Sequence, residues 1–197
     1  MGFGFDADGS FRQTPLSGDE AGLLLNDRFD PSPEGLSAAR AFLAGYEGLI
    51  VCDFERPKTP ALSDLVSALP CERLVVPPEY RALPHSHVLA PGYVPKEPFV
   101  PWLAEQRARF GPIFLDAGPI NWVLALDGSG FLPDKDSSRP AQSQFSQALC
   151  CRYTTSLSGG IPVFRFFDTA ETLLRRLELA EAPGILLAGQ AAELGLC

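Results

Sequence analysis

The sequence contains no long apolar run, so nothing in it reads as a membrane span, which needs roughly 20 residues. Basic residues are in the minority. Lys and Arg number 16 against 24 Asp and Glu, giving a net charge of −8 over 197 residues. A nucleic-acid partner is therefore not expected, since its footprint would be a basic patch. Histidine is scarce: only His85 and His87 occur, with no cysteine beside them. The five cysteines (Cys52, Cys71, Cys150, Cys151 and Cys197) are odd in number and match no zinc spacing. Neither a metal centre nor a disulfide framework is expected. Cys150 and Cys151 read as one buried and one exposed thiol, with no activating base nearby. Gly2-Phe3-Gly4 lacks the third glycine of a dinucleotide loop, and no Gly-x-x-x-x-Gly-Lys run occurs, so no nucleotide cofactor is expected. No Gly-x-Ser-x-Gly elbow supports serine-hydrolase chemistry. No basic and apolar leader follows Met1, which makes the cytoplasm the expected compartment.

What the chain does have is length for one domain over 1–197, and many turn residues, with 19 prolines and 18 glycines. Short apolar runs at 22–26, 48–55, 73–76, 87–90, 112–116 and 185–189 read as buried strands. Between them lie helical patterns. Ser32 and Pro33 open one that carries Leu36, Ala39, Phe42 and Leu43. Two others cover 60–69 and 98–110, the latter with Trp102 and Leu103 inward. A further one follows Asp168, read as the cap of a capping box, with Arg175 and Arg176 outward. Residues 121–126, 151–156 and 163–167 read as further strands, the last two joined by a turn at Ser158-Gly159-Gly160. Residues 10–20 and 127–144 read as loops, the latter as a flexible or lid segment. Near-continuous apolar strands alternating with helices predict an α/β fold with a covered parallel sheet. Two architectures fit: an abridged TIM-like (β/α)8 barrel, or an open doubly wound sheet.

The acidic end of the 48–55 run is the chemical feature of the chain. Asp53 and Glu55 are two residues apart, so on a strand their side chains share a face with Leu49 and Val51. Two crowded carboxylates above an apolar floor are suited to general acid work, because crowding raises one pKa. Asn26, Asp27 and Asp116 end other apolar strands, and Glu79, Tyr80 and Gln190 follow strands. All six would line the same rim in a barrel. Trp122 is a candidate for stacking on a sugar, whereas Trp102 lies on a helical stripe and reads as core.

Tyr46-Glu47-Gly48-Leu49-Ile50-Val51-Cys52-Asp53-Phe54-Glu55 resembles the fourth-strand signature of chitinase-like (family 18) glycoside hydrolases, Asp-Gly-x-Asp-x-Asp-x-Glu. Phe167-Asp168-Thr169-Ala170-Glu171-Thr172-Leu173 and the later 184–190 stretch are similar to the last βα unit of those barrels. The resemblance implies a barrel acting on N-acetylated glycans without a cofactor. It implies Glu55 as general acid and Asp53 as the group that orients the substrate N-acetyl group. Val51 and Gly48 stand where the signature has its other two acids. The expectation is therefore a degenerate, catalytically silent relative that binds a glycan or a partner at the strand carboxyl ends. The alternative is an active hydrolase. The oligomeric state is not legible.

Overall fold

The structure, a computed structural model, describes residues 2–12, 22–81, 87–136, 138–140 and 142–196. The chain forms two compact units, residues 1–90 and 91–197. The expectations for His85, Cys197 and most of the 10–20 loop fall outside the described residues.

The first unit holds β1 (Gly2–Phe5), β2 (Phe11–Arg12), β3 (Gly22–Asn26), α1 (Pro33–Ala44), β4 (Leu49–Asp53), α2 (Pro60–Ser67), β5 (Leu74–Val76) and β6 (His87–Ala90). Its strands lie in the order β6-β5-β4-β3-β1-β2. β1, β3, β4, β5 and β6 are parallel, and β2 runs antiparallel to β1. The parallel α/β expectation holds here for a local reason. Ser32 Oγ accepts the Gly35 N–H at 3.0 Å with Pro33 at the first helical position, and Thr59 Oγ1 accepts the Leu62 N–H at 3.2 Å ahead of Pro60. The capped helices after β3 and β4 return the chain for parallel pairing.

Strand alternation splits this sheet into two faces. Phe3, Phe5, Leu23, Leu25, Ile50, Cys52, Leu74 and Val76 pack with Ala39, Leu43, Leu62, Leu65 and Val66 of the helices, and form the core. The other face carries Leu24, Val51, Val75 and His87 in one register row, and Asn26 and Asp53 in the row above.

The second unit holds α3 (Phe99–Phe110), β7 (Ile113–Asp116), β8 (Asn121–Ala125), β9 (Gly130–Pro133), β10 (Gln144–Ser146), β11 (Cys151–Ser158), β12 (Ile161–Phe167), α4 (Ala170–Ala180), β13 (Gly184–Ile185) and α5 (Ala188–Glu193). β13 is parallel to β7. The other five strands form an antiparallel sheet in the order β10-β11-β12-β8-β9.

Several expectations are corrected in this unit. The turn expected at Ser158-Gly159-Gly160 holds and folds β12 back on β11 as an antiparallel hairpin; the correction is that these strands and 121–125 form an antiparallel sheet instead of extending a parallel one. The 127–144 loop contains β9 and begins β10, which pair with β8 and β11 as the two edges. The strand expected over 185–189 is cut to Gly184–Ile185, and α5 begins at Ala188. The cap of α4 is Thr169, paired reciprocally with Thr172, while Asp168 is buried beneath it. Arg175 is exposed as expected, but Arg176 is 4% exposed and paired with Asp168. Cys150 and Cys151 are both buried. Among the described residues no sheet closes on itself.

Candidate functional site

The carboxyl ends of β3 and β4 bring together four of the residues singled out from the sequence, Asn26, Asp27, Asp53 and Glu55. Asn26 and Asp53 are register partners. Both stand on the face opposite the helices, over the apolar row of Leu24, Val51 and Val75. The Asn26 amide donates to the Phe3 carbonyl at 2.9 Å, and its oxygen accepts the Arg28 N–H at 3.3 Å. It lies across Gly4, where a Cβ would come within 2.5 Å of Asn26 Oδ1. Glycine at position 4 is what lets the amide cross from β3 to β1. Asp53 is half-buried beside it.

Asp27 follows the last residue of β3 and is 2% exposed. Its carboxylate accepts the Glu55 N–H at 3.0 Å and the Arg56 N–H at 2.9 Å, one on each oxygen. The Arg56 guanidinium donates to the Asp27 carbonyl at 3.4 Å and pairs with Asp30 at 2.8 Å. Asp27 therefore holds the backbone that carries Glu55. Glu55 itself lies past the end of β4, which stops at Asp53, and its side chain is exposed. The shared strand face expected for Asp53 and Glu55 is thus not maintained by strand pairing.

Glu79 and Tyr80 lie in a short 3-10 turn, Pro78–Tyr80, after β5. Glu79 is exposed, whereas Tyr80 is 3% exposed and packs edge-on against Phe54, ring centres 5.2 Å apart. Lys58 Nζ lies 5.1 Å from the Tyr80 ring centre and donates to the Glu79 carbonyl at 3.1 Å. Burial raises the Tyr80 hydroxyl above its ordinary pKa, a backbone interaction with Thr59 opposes the rise, and the negative charge of Asp27 adds to it. Tyr80 belongs to the helix-side core, Asp27 holds the backbone of Glu55 and Arg56, and neither presents a side chain to solvent.

Asp116 and Gln190 belong to the second unit. Asp116 is exposed at the end of β7, where its Oδ1 accepts the Gly118 N–H at 2.9 Å. A Cβ at Gly118 would lie 3.1 Å from Asp116 Oδ1 and 3.6 Å from Gln190 Nε2, so the two side chains flank the same turn. Gln190 Oε1 also accepts the Leu187 N–H at 3.2 Å. Among the described residues no cluster of His, Cys, Asp or Glu could hold a metal ion, and no helix is long and apolar enough to cross a membrane.

Sequence reasoning missed Lys58, whose signal is its position just after the acidic strand end. The sequence reads His87 as a strand-edge residue opening the 87–90 strand, without a role at the acidic strand end. Register puts His87 beside Val75, on the face that carries Asp53.

No family model matches the chain, and no curated protein matches it in sequence. Solved structures do resemble it. The spore cortex-lytic enzyme SleL of Bacillus cereus superposes with a TM-score of 0.58 at 10% identity, over 99% of this chain and 64% of that one. SleL of Bacillus megaterium QM B1551 gives 0.52 at 12% identity, over 93% and 61%. A protein named as a candidate sporulation-specific glycosylase, ydhD of Bacillus subtilis, gives 0.56 at 10% identity, over 92% and 85%. At this identity the likeness shows a shared α/β fold. The chain spans less than two thirds of the length of the two SleL proteins.

Proposed function

We propose that this chain is a glycoside-hydrolase-like α/β domain that binds an N-acetylated glycan at its strand carboxyl ends without turning it over. The observation that carries this reading is the two-row face of the first unit. Asn26 and Asp53 stand over Leu24, Val51 and Val75. A sugar ring has a polar edge and an apolar face; half-buried Asp53 offers the first a hydrogen-bonding group and half-buried Leu24 the second a contact, while Val51 and Val75 are buried beneath them. The structural likeness to cortex-lytic enzymes supports a glycan as the class of ligand. Asp53, Glu55 and Glu79 are the proposed contacts, with Asn26, Asp27 and Tyr80 holding them in place. Asp116 and Gln190 are proposed as glycan contacts of the second unit. Silence follows from Val51: a buried aliphatic side chain sits in the row below Asp53, where the resembling signature has an acid.

One observation favours the active reading. Asp27 clamps the Glu55 peptide through two hydrogen bonds, and a general acid needs that kind of positional restraint. In that reading Glu55 protonates the leaving oxygen and Asp53 orients the N-acetyl group.

Calorimetry and turnover of the full chain with N-acetylglucosamine oligomers and cortex peptidoglycan fragments decide between them. The expected result is binding without turnover, weakened about tenfold by Asp53→Ala. Turnover that disappears in Glu55→Gln would establish the hydrolase instead. Folded protein that neither binds nor cleaves these glycans overturns both readings.

A further inference from the structure

The antiparallel sheet of the second unit has one face without charge. Register aligns Tyr153 with Phe166 and Trp122, and Thr155 with Phe164 and Leu124. Leu157 aligns with Pro162, Phe131 with Leu124, Pro133 with Trp122, and Gln144 with Tyr153. The rings agree with that assignment: the Phe166 centre lies 5.6 Å from Phe131, 6.2 Å from Tyr153 and 6.3 Å from Phe164. No strand residue on this face is charged.

The opposite face takes the ionic contacts. Arg165 pairs there with Asp134 and Asp136, Arg152 with Glu171 of α4, and Arg175 of α4 lies over Phe145. On the uncharged face Trp122, Phe131, Tyr153 and Phe164 are half-buried, while Leu126 is 58% and Leu157 74% exposed. An aromatic surface of this kind left in water marks a binding site.

At the β10–β11 edge the sheet forms a groove of about 320 Å³ lined by Gln142, Ser143, Gln144, Tyr153, Thr154 and Thr155. Every lining side chain is neutral, and all six can hydrogen-bond; Gln144, Tyr153 and Thr155 lie on the uncharged face and Thr154, register partner of Arg165, on the other, so the groove wraps the sheet edge. The Tyr153 hydroxyl donates to Gln144 Oε1 at 2.5 Å. The neighbouring charge is Arg152, which donates to Ser143 Oγ at 3.3 Å. An ionic ligand would meet almost no counter-charge on this face. An apolar protein surface would leave the amides and hydroxyls of the groove unpaired, which is costly. A neutral saccharide satisfies both parts, with C–H faces on the rings and hydroxyls on the groove.

We propose that this face and its groove are a binding platform for a neutral saccharide chain, a site of the second unit in its own right. The inference rests on the glycan reading above, and deepens it by naming a second place where the chain holds its ligand.

The test titrates the full chain with the β-1,4-linked N-acetylglucosamine hexamer. In a Trp102→Phe background Trp122 is the sole tryptophan, and its emission is expected to shift on sugar addition. Tyr153→Ala combined with Gln144→Ala is expected to weaken binding about tenfold or more, whereas Tyr153→Phe, which keeps the ring, holds it within about threefold. Circular dichroism verifies that each variant folds. Wild-type affinity in the double variant, or an unmoved Trp122 spectrum on saturation, overturns the proposal. Loss of binding in Asp53→Ala alone overturns it and leaves the strand-end reading standing; loss in the sheet variant alone does the reverse. Absence of hexamer binding overturns both. Self-association abolished by Leu157→Ser, with no response to sugar, assigns the face to a second copy and also overturns the proposal.

Discussion

Each unit buries a carboxylate, and the two are satisfied in different ways. Asp168, fully buried in the second unit, takes the Arg176 guanidinium at 2.6 Å, the Ile120 N–H at 2.7 Å and the Thr172 hydroxyl at 2.8 Å. Its own carbonyl accepts from Arg139 at 2.9 Å. Asp27 in the first unit takes two main-chain N–H groups, and the nearby Arg56 guanidinium turns to Asp30. Removing two ions from water costs free energy that the pair only partly returns, so Asp168–Arg176 matters for what it joins: β12, α4 and the turn at 118–120. Asp27 joins less and places more. It anchors the one stretch of backbone on which Glu55 rides. One carboxylate organises packing, the other aims a side chain.

The largest expected effect breaks the first of these. Asp168→Ala leaves Arg176 buried without its counter-charge and should cost about 3–5 kcal/mol in urea unfolding. A loss below about 1 kcal/mol would mean that water or a shifted Arg176 replaces the carboxylate. Asp27→Ala should cost less, about 1.5–3 kcal/mol, because it removes charge-assisted hydrogen bonds without stranding a buried cation. Its sharper signature is functional: glycan affinity, or turnover if present, should fall more than in Asp30→Ala.

The smallest effect concerns the thiols, one core in each unit. Burial pushes Cys52 up to about 12 from an ordinary 9.0. Cys151 likewise rises to about 12 through burial, with Asp168 adding to the rise and Arg176 opposing it. Raised acids favour the neutral folded form. Their contribution is complete below pH 9 and is lost as pH rises from 9 towards about 12, because the unfolded thiols ionise first. Neither thiol should react with iodoacetamide at about pH 8 in folded protein, where both stay protonated and buried. In Asp168→Ala, Cys151 should become reactive while Cys52 stays protected; equal labelling of both would show that the two units do not open separately.

Much of the first unit was legible because its signals are local. Ser32-Pro33 carries its own cap, and the apolar periods around Leu43 and Leu65 need no distant partner to be read. The second unit was less legible. Strict apolar–polar alternation is absent there: Asn121–Ala125 and Ile161–Phe167 carry apolar residues on both parities, so composition marks strands without marking their direction. The 127–144 segment reads as loop from its Gly, Pro, Ser and Asp content, yet it contributes both sheet edges. Arg176 reads as a surface residue until Asp168, eight positions earlier, is seen to turn inward beneath α4. The site was legible as a set of strand ends. Which residues face a ligand and which hold the frame was not, since Asn26 and Asp27 are neighbours in sequence, one bonded across to β1 and the other to the backbone after β4.

Local preferences were enough to dictate an α/β chain with an acidic end to β4, because strand, cap and turn chemistry acts over a few residues. Long-range packing decided the rest: that Asp27 would be a buried clamp, that β8–β12 would run antiparallel, and that their aromatic residues would collect on one uncharged face. Those outcomes depend on register between distant strands, and register is settled by which faces can be buried together once the whole chain has folded.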